Sequence, residues 1–258
     1  MFWPGPLTLI LPKQAWVPKA VTGGQNTVGL RVPGHPVALG LLHAFAEVNA
    51  NAGIAAPSAN RFGRISPTTA AHVAEELGDK VPLILDGGAC QVGIESTILD
   101  LSYGASGGKP TILRPGHITP EQLAVVLGEE PEIMTAHGAP RVSGSLAAHY
   151  APSTPLRVVT AANLLDYLNA IRHRGGRCGV LSHSQLPQAG MPHIFRQLSA
   201  HPIAYAHDFY AALRDLDHEG LDTIVVEALP TLPANSPLAS EWAAVADRLR
   251  RAVAGSGQ

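Results

Sequence analysis

The sequence predicts an α/β fold in two parts, and three observations carry that reading. First, 46% of the 258 residues are hydrophobic and only 15% are charged. Such a chain can bury a core, and the balance excludes disorder over most of its length. At about 150 residues per domain, the length suits roughly two domains. Second, aromatic residues make up only 5%, while there are 26 glycines and 22 prolines. That mixture fits a turn-rich α/β protein better than an aromatic-rich sandwich. Third, beyond residue 155 apolar strands alternate with amphipathic helices, the pattern of an open α/β sheet.

In the first half, Leu7–Leu11 and Val28–Val32 read as strands. Residues 36–48 read as a helix: Pro36 suits the first turn, and Leu39, Leu42, Phe45 and Ala46 recur at helical spacing. Ile54–Ala56 reads as a short buried strand that turns off through Pro57-Ser58-Ala59-Asn60. Ser66 is expected to cap a second helix, with Pro67 in its first turn and Gly78 at its end. Pro82–Asp86, Ser96–Leu101 and Thr111–Leu113 read as strands. Thr119-Pro120-Glu121-Gln122 reads as a capping box ahead of Leu123, Val126 and Leu127. Strands with helices between only some of them predict a mixed sheet.

Residues 128–155 lack periodicity and read as a linker. Behind it come strands at Leu156–Val159, Cys178–Leu181, His193–Leu198 and Leu221–Glu227, and helices at Ala161–Arg172, Pro202–Leu216 and Leu238–Val253. The expected organisation is a domain over 1–127, a linker or lid over 128–155, and a smaller Rossmann-like α/β domain over 156–258.

The net charge of −2 argues against a protein-wide nucleic-acid footprint, so an RNA-binding module is a secondary reading. Two cysteines far apart, Cys90 and Cys178, make no disulfide framework. No run approaches the roughly 18 apolar residues of a membrane span. The apolar start lacks a basic lead-in and is broken by prolines, so the chain reads as cytoplasmic, with no membrane partner.

The search for chemistry removes several classes. Gly104-Ala105-Ser106-Gly107-Gly108-Lys109 approaches a phosphate loop, but its spacing is one residue short. Pro110 also stands where a hydroxyl would meet magnesium, so a hairpin loop is the better reading. Neither Gly-x-Gly-x-x-Gly, His-Glu-x-x-His nor Cys-x-x-Cys occurs, and Gly104–Gly108, although spaced as Gly-x-Ser-x-Gly, sits between two expected strands and not before a helix, so no dinucleotide loop, metal site or nucleophile elbow is expected. What remains is a set of polar residues at expected strand ends and helix starts: Thr27, Arg31, Ser58, Asn60, Ser66, Ser96 and Arg114. Such positions suit anions, and two arginines with small hydroxyls suit a ligand carrying carboxylate and phosphate. Each residue also has a plain structural role open to it, as turn former, cap or surface ion-pair partner.

Several segments in this order resemble the YrdC-like family of threonylcarbamoyl-AMP synthases. They are Phe2-Trp3-Pro4-Gly5-Pro6-Leu7-Thr8, Thr27-Val28-Gly29-Leu30-Arg31-Val32-Pro33, and Ala55-Ala56-Pro57-Ser58-Ala59-Asn60 with Gly63-Arg64-Ile65-Ser66-Pro67-Thr68. Glu95-Ser96-Thr97-Ile98 and Ile112-Leu113-Arg114-Pro115-Gly116 complete them. His149-Tyr150-Ala151-Pro152 ahead of an α/β domain resembles the longer, two-domain form. The resemblance implies a YrdC-like twisted mixed sheet with helices, followed by the Rossmann-like domain. It implies a nucleotidyltransferase joining L-threonine, bicarbonate and ATP into threonylcarbamoyl-adenylate and pyrophosphate, with Mg2+ carried on the ATP phosphates. A downstream transfer complex would then modify tRNA, which this chain meets only indirectly.

By position, Arg31, Ala56 and Ser96 would bind L-threonine, Arg31 through the carboxylate. Thr27, Ser58, Asn60, Ser66 and Arg114 would serve ATP, and Tyr150 would close over the nucleotide as a lid. The resemblance departs at the start. Family members carry, before Trp-Pro-Gly-Pro, a Thr-x-Thr/Tyr-Gly-Leu motif and a Lys-x-Arg motif that occur nowhere here. The chain therefore reads as a family member lacking the first part of its catalytic domain, with a truncated, inactive member as the alternative.

Overall fold

The computed structural model describes residues 1–50, 53–103, 107–134, 140–144, 146–187, 190–233 and 235–257. They divide into two compact units. One comprises Met1–Pro57, Leu85–Gly87 and Glu95–Ser145; the other comprises Ser58–Ile84, Gly88–Ile94 and Leu146–Gln258. This division differs from the boundaries 1–127, 128–155 and 156–258 read from the sequence. Residues 58–84 and 88–94 pack with the C-terminal unit, and most of the expected linker packs with the first.

The first unit is built on a mixed five-stranded sheet. Its strands are β1 (Leu7–Pro12), β2 (Thr27–Leu30), β3 (Thr97–Asp100), β4 (Thr111–Arg114) and β5 (Glu132–Ile133). Their order is β2-β1-β3-β4-β5. β1 runs antiparallel to β2 and parallel to β3, β4 is antiparallel to β3, and β5 is parallel to β4. Leu7, Leu99, Ile112, Ile118 and Leu123 form the buried core, closed by Phe2, Leu9, Leu101 and Leu127. Each such side chain contributes roughly 1.5–3 kcal/mol when fully buried. Gln25 and Arg141 hold the β1–β2 loop to the chain beyond β5: Gln25 Nε2 donates to the Arg141 carbonyl, and Arg141 N donates to Gln25 Oε1.

Helix α1 (Pro36–Val48) follows the expected span, with Pro36 in the first turn. It has no fully buried residue, however, and Val37, Leu41 and Val48 are exposed. Helix α3 (Pro120–Leu127) carries the complete capping box: Thr119 Oγ1 accepts from Gln122 N, and Gln122 Oε1 accepts from Thr119 N. Of the expected loop at Gly104–Lys109, residues 104–106 lie outside the described residues; its flanks are the antiparallel strands β3 and β4.

Three local expectations are corrected. Ile54–Ala56 is neither a strand nor buried; no ladder partner lies beside it among the described residues, and Ile54 is exposed. A run of three apolar residues does not hold a strand without such a neighbour. Pro82–Asp86 is likewise no strand. Pro82 has no N–H to donate, and Leu83 and Leu85 are exposed. Ser66 does not cap a helix. Helix α2 (Ala70–Leu77) starts later, capped by Thr69, whose Oγ1 accepts from His72 N at 3.2 Å. Thr68 N donates to His72 Nδ1, so both threonines engage the first turn.

The second unit matches the Rossmann-like expectation. Strands β6 (Leu156–Val159), β7 (Cys178–Ser182), β8 (Ile194–Gln197) and β9 (Thr223–Glu227) form an all-parallel sheet in the order β6-β9-β7-β8. Helix α4 (Ala161–His173) packs Leu164 and Leu168 against Cys178, Val180 and Val225. Helices α5 (Pro202–Asp217) and α6 (Ala239–Gly255) pack Phe209, Leu213, Val245 and Leu249 into a separate cluster with Leu181, Ile224 and Val226. An all-parallel sheet covered on both faces accounts for the nearly continuous burial of β7 and β9. No described helix is long and apolar enough to cross a membrane. Cys90 is exposed, and Cys178 is buried.

Candidate functional site

In the first unit the polar residues converge where β1, β3 and β4 meet. β3 enters beside β1 with Leu7 opposite Thr97 and Thr8 opposite Ile98. This places Ser96 at the mouth of the strand, 7% exposed, with its hydroxyl 2.8 Å from Thr8 Oγ1. Arg114 closes β4 and is equally buried. Its Nε and Nη2 donate to the Ser96 carbonyl at 3.1 and 2.9 Å, Nη2 reaches Ser96 Oγ at 3.1 Å, and Nη1 donates to the Ser143 carbonyl at 3.0 Å. Charge-assisted bonds of this kind are the strong ones, and the fork of the guanidinium fixes their directions.

The floor of this corner is backbone. Thr97 N donates to the Pro6 carbonyl, Thr97 Oγ1 donates to the Ile118 carbonyl at 2.8 Å, and Ile118 N donates back to Thr97 Oγ1 at 3.0 Å. Gly116 lies against it so closely that a Cβ there would fall 2.5 Å from Thr97 N and 2.9 Å from the Glu95 carbonyl oxygen. Trp3 Nε1 donates to the Leu7 carbonyl, and Gly5 N donates to the Val32 carbonyl, so the Trp-Pro-Gly-Pro segment ties β1 to the chain following β2. Arg31 lies one residue past the Leu9–Leu30 pair and is exposed. Thr27 begins β2 opposite Pro12 and is half-buried; Ala56 is exposed.

In the second unit the loop from Asn60 to Ser66 is held from within and from outside. Asn60 Nδ2 donates to the carbonyls of Arg61 and Arg64. Ala59 adopts φ 56°, the left-handed region that an L residue enters only when its surroundings require it. Ser66 is buried, and Ser58 is exposed. Arg64 bridges in parallel to Ala151, and Ala151 N donates to the Gly63 carbonyl at 2.8 Å. The His149–Ala151 segment is thereby laid beside the loop.

Tyr150, with φ 62°, is 1% exposed. Its ring packs on His149 at 4.2 Å and Tyr210 at 5.7 Å, and the Arg248 guanidinium lies 5.6 Å from its centroid. Arg248 is fully buried and pairs with Asp247 at 3.1 Å. Burial alone would raise the Asp247 pKa; hydrogen bonds from Arg251 and Arg250 and the charges of Arg248 and Arg251 outweigh it and hold the carboxyl below its usual range. The aromatic ring expected as a lid is, in this structure, a core residue of its own unit.

The sequence-derived set thus falls into two groups. Ser96 and Arg114 touch directly; Thr27 on β2 and Arg31 just past it lie across β1 from them, with Thr27 at the far end of β1, opposite Pro12. Asn60, Ser66 and Tyr150 gather around one loop. Sequence reasoning missed Thr8, Arg214, Glu76 and Arg248. Thr8 carried a weak signal, a hydroxyl alternating with apolar residues in Leu-Thr-Leu-Ile-Leu. The buried arginines carried none, because a charged residue on an amphipathic helix reads as solvent-facing. Among the described residues, no three His, Cys, Asp or Glu side chains are grouped to hold a metal ion.

Comparison with known proteins agrees with this architecture. A family model described as Telomere recombination matches residues 1–116, and one described as Threonylcarbamoyl-AMP synthase, C-terminal domain, matches residues 118–254. The chain is 34% identical over 238 residues to the threonylcarbamoyl-AMP synthase of Pyrococcus abyssi, covering 88% of this chain and 66% of that protein. It is 35% identical over 237 residues to that of Bacillus subtilis, covering 89% and 66%. Among solved structures it resembles P. abyssi Sua5 complexed with L-threonine, with a TM-score of 0.81 and 32% identity over 99% of this chain and 73% of that one. A mixed-sheet unit and a Rossmann-like unit, matched together by these two family models, define a two-unit α/β protein. The chain belongs to the threonylcarbamoyl-AMP synthase family. It spans 66% of the length of the two curated relatives named above.

Proposed function

We propose that this chain catalyses formation of L-threonylcarbamoyladenylate, as a nucleotidyltransferase using L-threonine, bicarbonate and ATP. The observation that carries the proposal is the buried Ser96 hydroxyl, set between Thr8 Oγ1 and Arg114 Nη2, in a chain whose structural relative was solved with L-threonine. Arg31 is assigned to the threonine carboxylate, and Ser96 and Ala56 line that subsite. Thr27, Ser58, Asn60, Ser66, Arg114 and Tyr150 are assigned to ATP, directly or by shaping its loop. Magnesium travels with the ATP phosphates.

The chemistry needs no side-chain nucleophile. The threonine nitrogen adds to the carbon of bicarbonate-derived carbon dioxide and loses a proton, giving a carbamate. A carbamate oxygen then attacks the α-phosphorus of ATP. The bond from that phosphorus to the bridging oxygen breaks, and pyrophosphate leaves. The protein contributes by orienting two anions and offsetting charge on the phosphoryl oxygens, which is work for arginine, hydroxyl and backbone N–H groups. The adenylate passes to a threonylcarbamoyl-transfer complex acting on tRNA in the cytoplasm.

The test is pyrophosphate release by the chain with all three substrates. Release that depends on both L-threonine and bicarbonate, with product of the adenylate mass, is expected. Binding of L-threonine without any threonine-dependent release would show a binding protein instead and would overturn the assignment of activity.

A further inference from the structure

We infer that Arg214, paired with Glu76, is a positioning residue for the Asn60–Ser66 loop. The inference rests on the assignment of that loop to the nucleotide. Arg214 lies on α5 among the buried residues Phe209, Tyr210, Leu213 and Leu216, and is itself 5% exposed. Its Nη2 donates to the carbonyl of Ile65, the residue before Ser66, and to Glu76 Oε2 at 3.1 Å.

The other carboxylate oxygen, Glu76 Oε1, accepts from Arg61 N at 3.0 Å, and Arg61 Nε donates to the Glu76 carbonyl. One ion pair therefore grips both ends of the loop: the amide that follows Asn60 and the carbonyl that precedes Ser66. Between those points the Gly63 carbonyl is held by Ala151 N.

The pair is a poor device for stability alone. Taking two charges out of water is costly, and apolar side chains of similar volume often serve a core as well or better. Arg214 Nε is buried and donates to no group among the described residues, a cost that leucine or methionine would avoid. A forked cation does what an apolar side chain cannot: it fixes a carbonyl and a carboxylate at set angles, and through the carboxylate a second backbone group. A loop held at both ends in this way is ordered before ligand arrives, so little ordering is left for the ligand to drive.

The test compares the full chain with Arg214→Met, Arg214→Lys and Glu76→Gln. Two quantities are read: hydrogen exchange at amides 61–66, and dissociation constants for a non-hydrolysable ATP analogue and for L-threonine. Arg214→Met and Glu76→Gln should speed exchange at 61–66 at least tenfold, leave β7 and β9 unchanged, and weaken the nucleotide about tenfold with L-threonine unchanged. Arg214→Lys should fall between, keeping the charge and losing the fork. Unchanged exchange at 61–66, acceleration throughout the unit, or a loosened loop with unaltered nucleotide affinity would each overturn the inference. If the unsubstituted chain binds no ATP analogue, the nucleotide assignment fails on that measurement. The exchange data then judge the clamp by themselves, supporting it if the loop alone loosens and overturning it otherwise.

Discussion

Arg114 meets the carbonyl of Ser96 through two donors at once, at 3.1 and 2.9 Å, while a third contact reaches the same residue's hydroxyl. The position of the hydroxyl is thus set by a side chain 18 residues away. Arg114→Ala should leave the Ser96 and Ser143 carbonyls without this donor and cost about 1.5–3 kcal/mol, the range for hydrogen bonds to charged groups. The urea midpoint at constant slope measures it, and Arg114→Lys should recover only part. An Arg114→Ala protein of unchanged midpoint would contradict the bracing role.

Arg31 calls for the opposite profile. It is exposed and stands beyond the last ladder pair of β2, so its removal should hardly change stability. Arg31→Ala should raise the L-threonine requirement about ten- to a hundredfold, the loss of one charge-assisted contact of roughly 1.5–3 kcal/mol. The ATP requirement should move much less. Steady-state kinetics with each substrate varied separate the two, and equal shifts would remove Arg31 from the carboxylate.

Two glycines should respond in opposite senses to the same substitution. A methyl at Gly116 would collide with Thr97 N, Thr97 Oγ1 and the Glu95 carbonyl oxygen, none of which is the end of a flexible chain. Gly116→Ala should destabilise by about 1–3 kcal/mol, as overpacking does. Gly40 lies inside α1 with open space around it, so Gly40→Ala should stabilise by about 0.5–1 kcal/mol through the unfolded chain and helix propensity. Thermal melts of the two variants against the parent make the comparison.

Stability should fall on mild acidification through His72. Burial lowers its pKa, and the charge of Arg214 lowers it further, with a small addition from His218; Glu75 and Asp215 pull the other way. The folded state therefore binds this proton less readily than the unfolded chain, whose histidines titrate near 6.5. The stability held above that pH is lost as the pH falls below it. His72→Gln should flatten the midpoint-against-pH curve between about pH 7 and 5. A curve as steep as the parent's would place the acid sensitivity elsewhere.

Much of the fold was legible from period and punctuation. Pro36 with Leu39, Leu42 and Phe45 marked α1, Thr119 with Gln122 marked the start of α3, and alternating strand and helix marked the second unit. Failures came where a local pattern needs a partner to decide it. Ile54–Ala56 is apolar enough for a strand but has no ladder neighbour among the described residues, and Ser66 has cap chemistry while Thr69 has the geometry. At the site, Ser96 and Arg114 emerged from the order of motifs. Their direct contact did not, because a β3–β4 pairing determines it. Arg214 was out of reach for a related reason: nothing local to α5 announces a carbonyl 149 residues away.

That separation has a consequence for how the chain is made. The backbone passes between the two units at 57–58, 84–85, 87–88, 94–95 and 145–146. A ribosome working from the N-terminus therefore cannot finish either unit before beginning the other. The segment carrying Asn60 and Ser66 emerges before α5 and α6 and must wait for them before Ile65, Glu76 and Tyr150 find Arg214 and Arg248. Contacts so distant in sequence form slowly. Helices made late are then the ones that give an earlier loop its final shape.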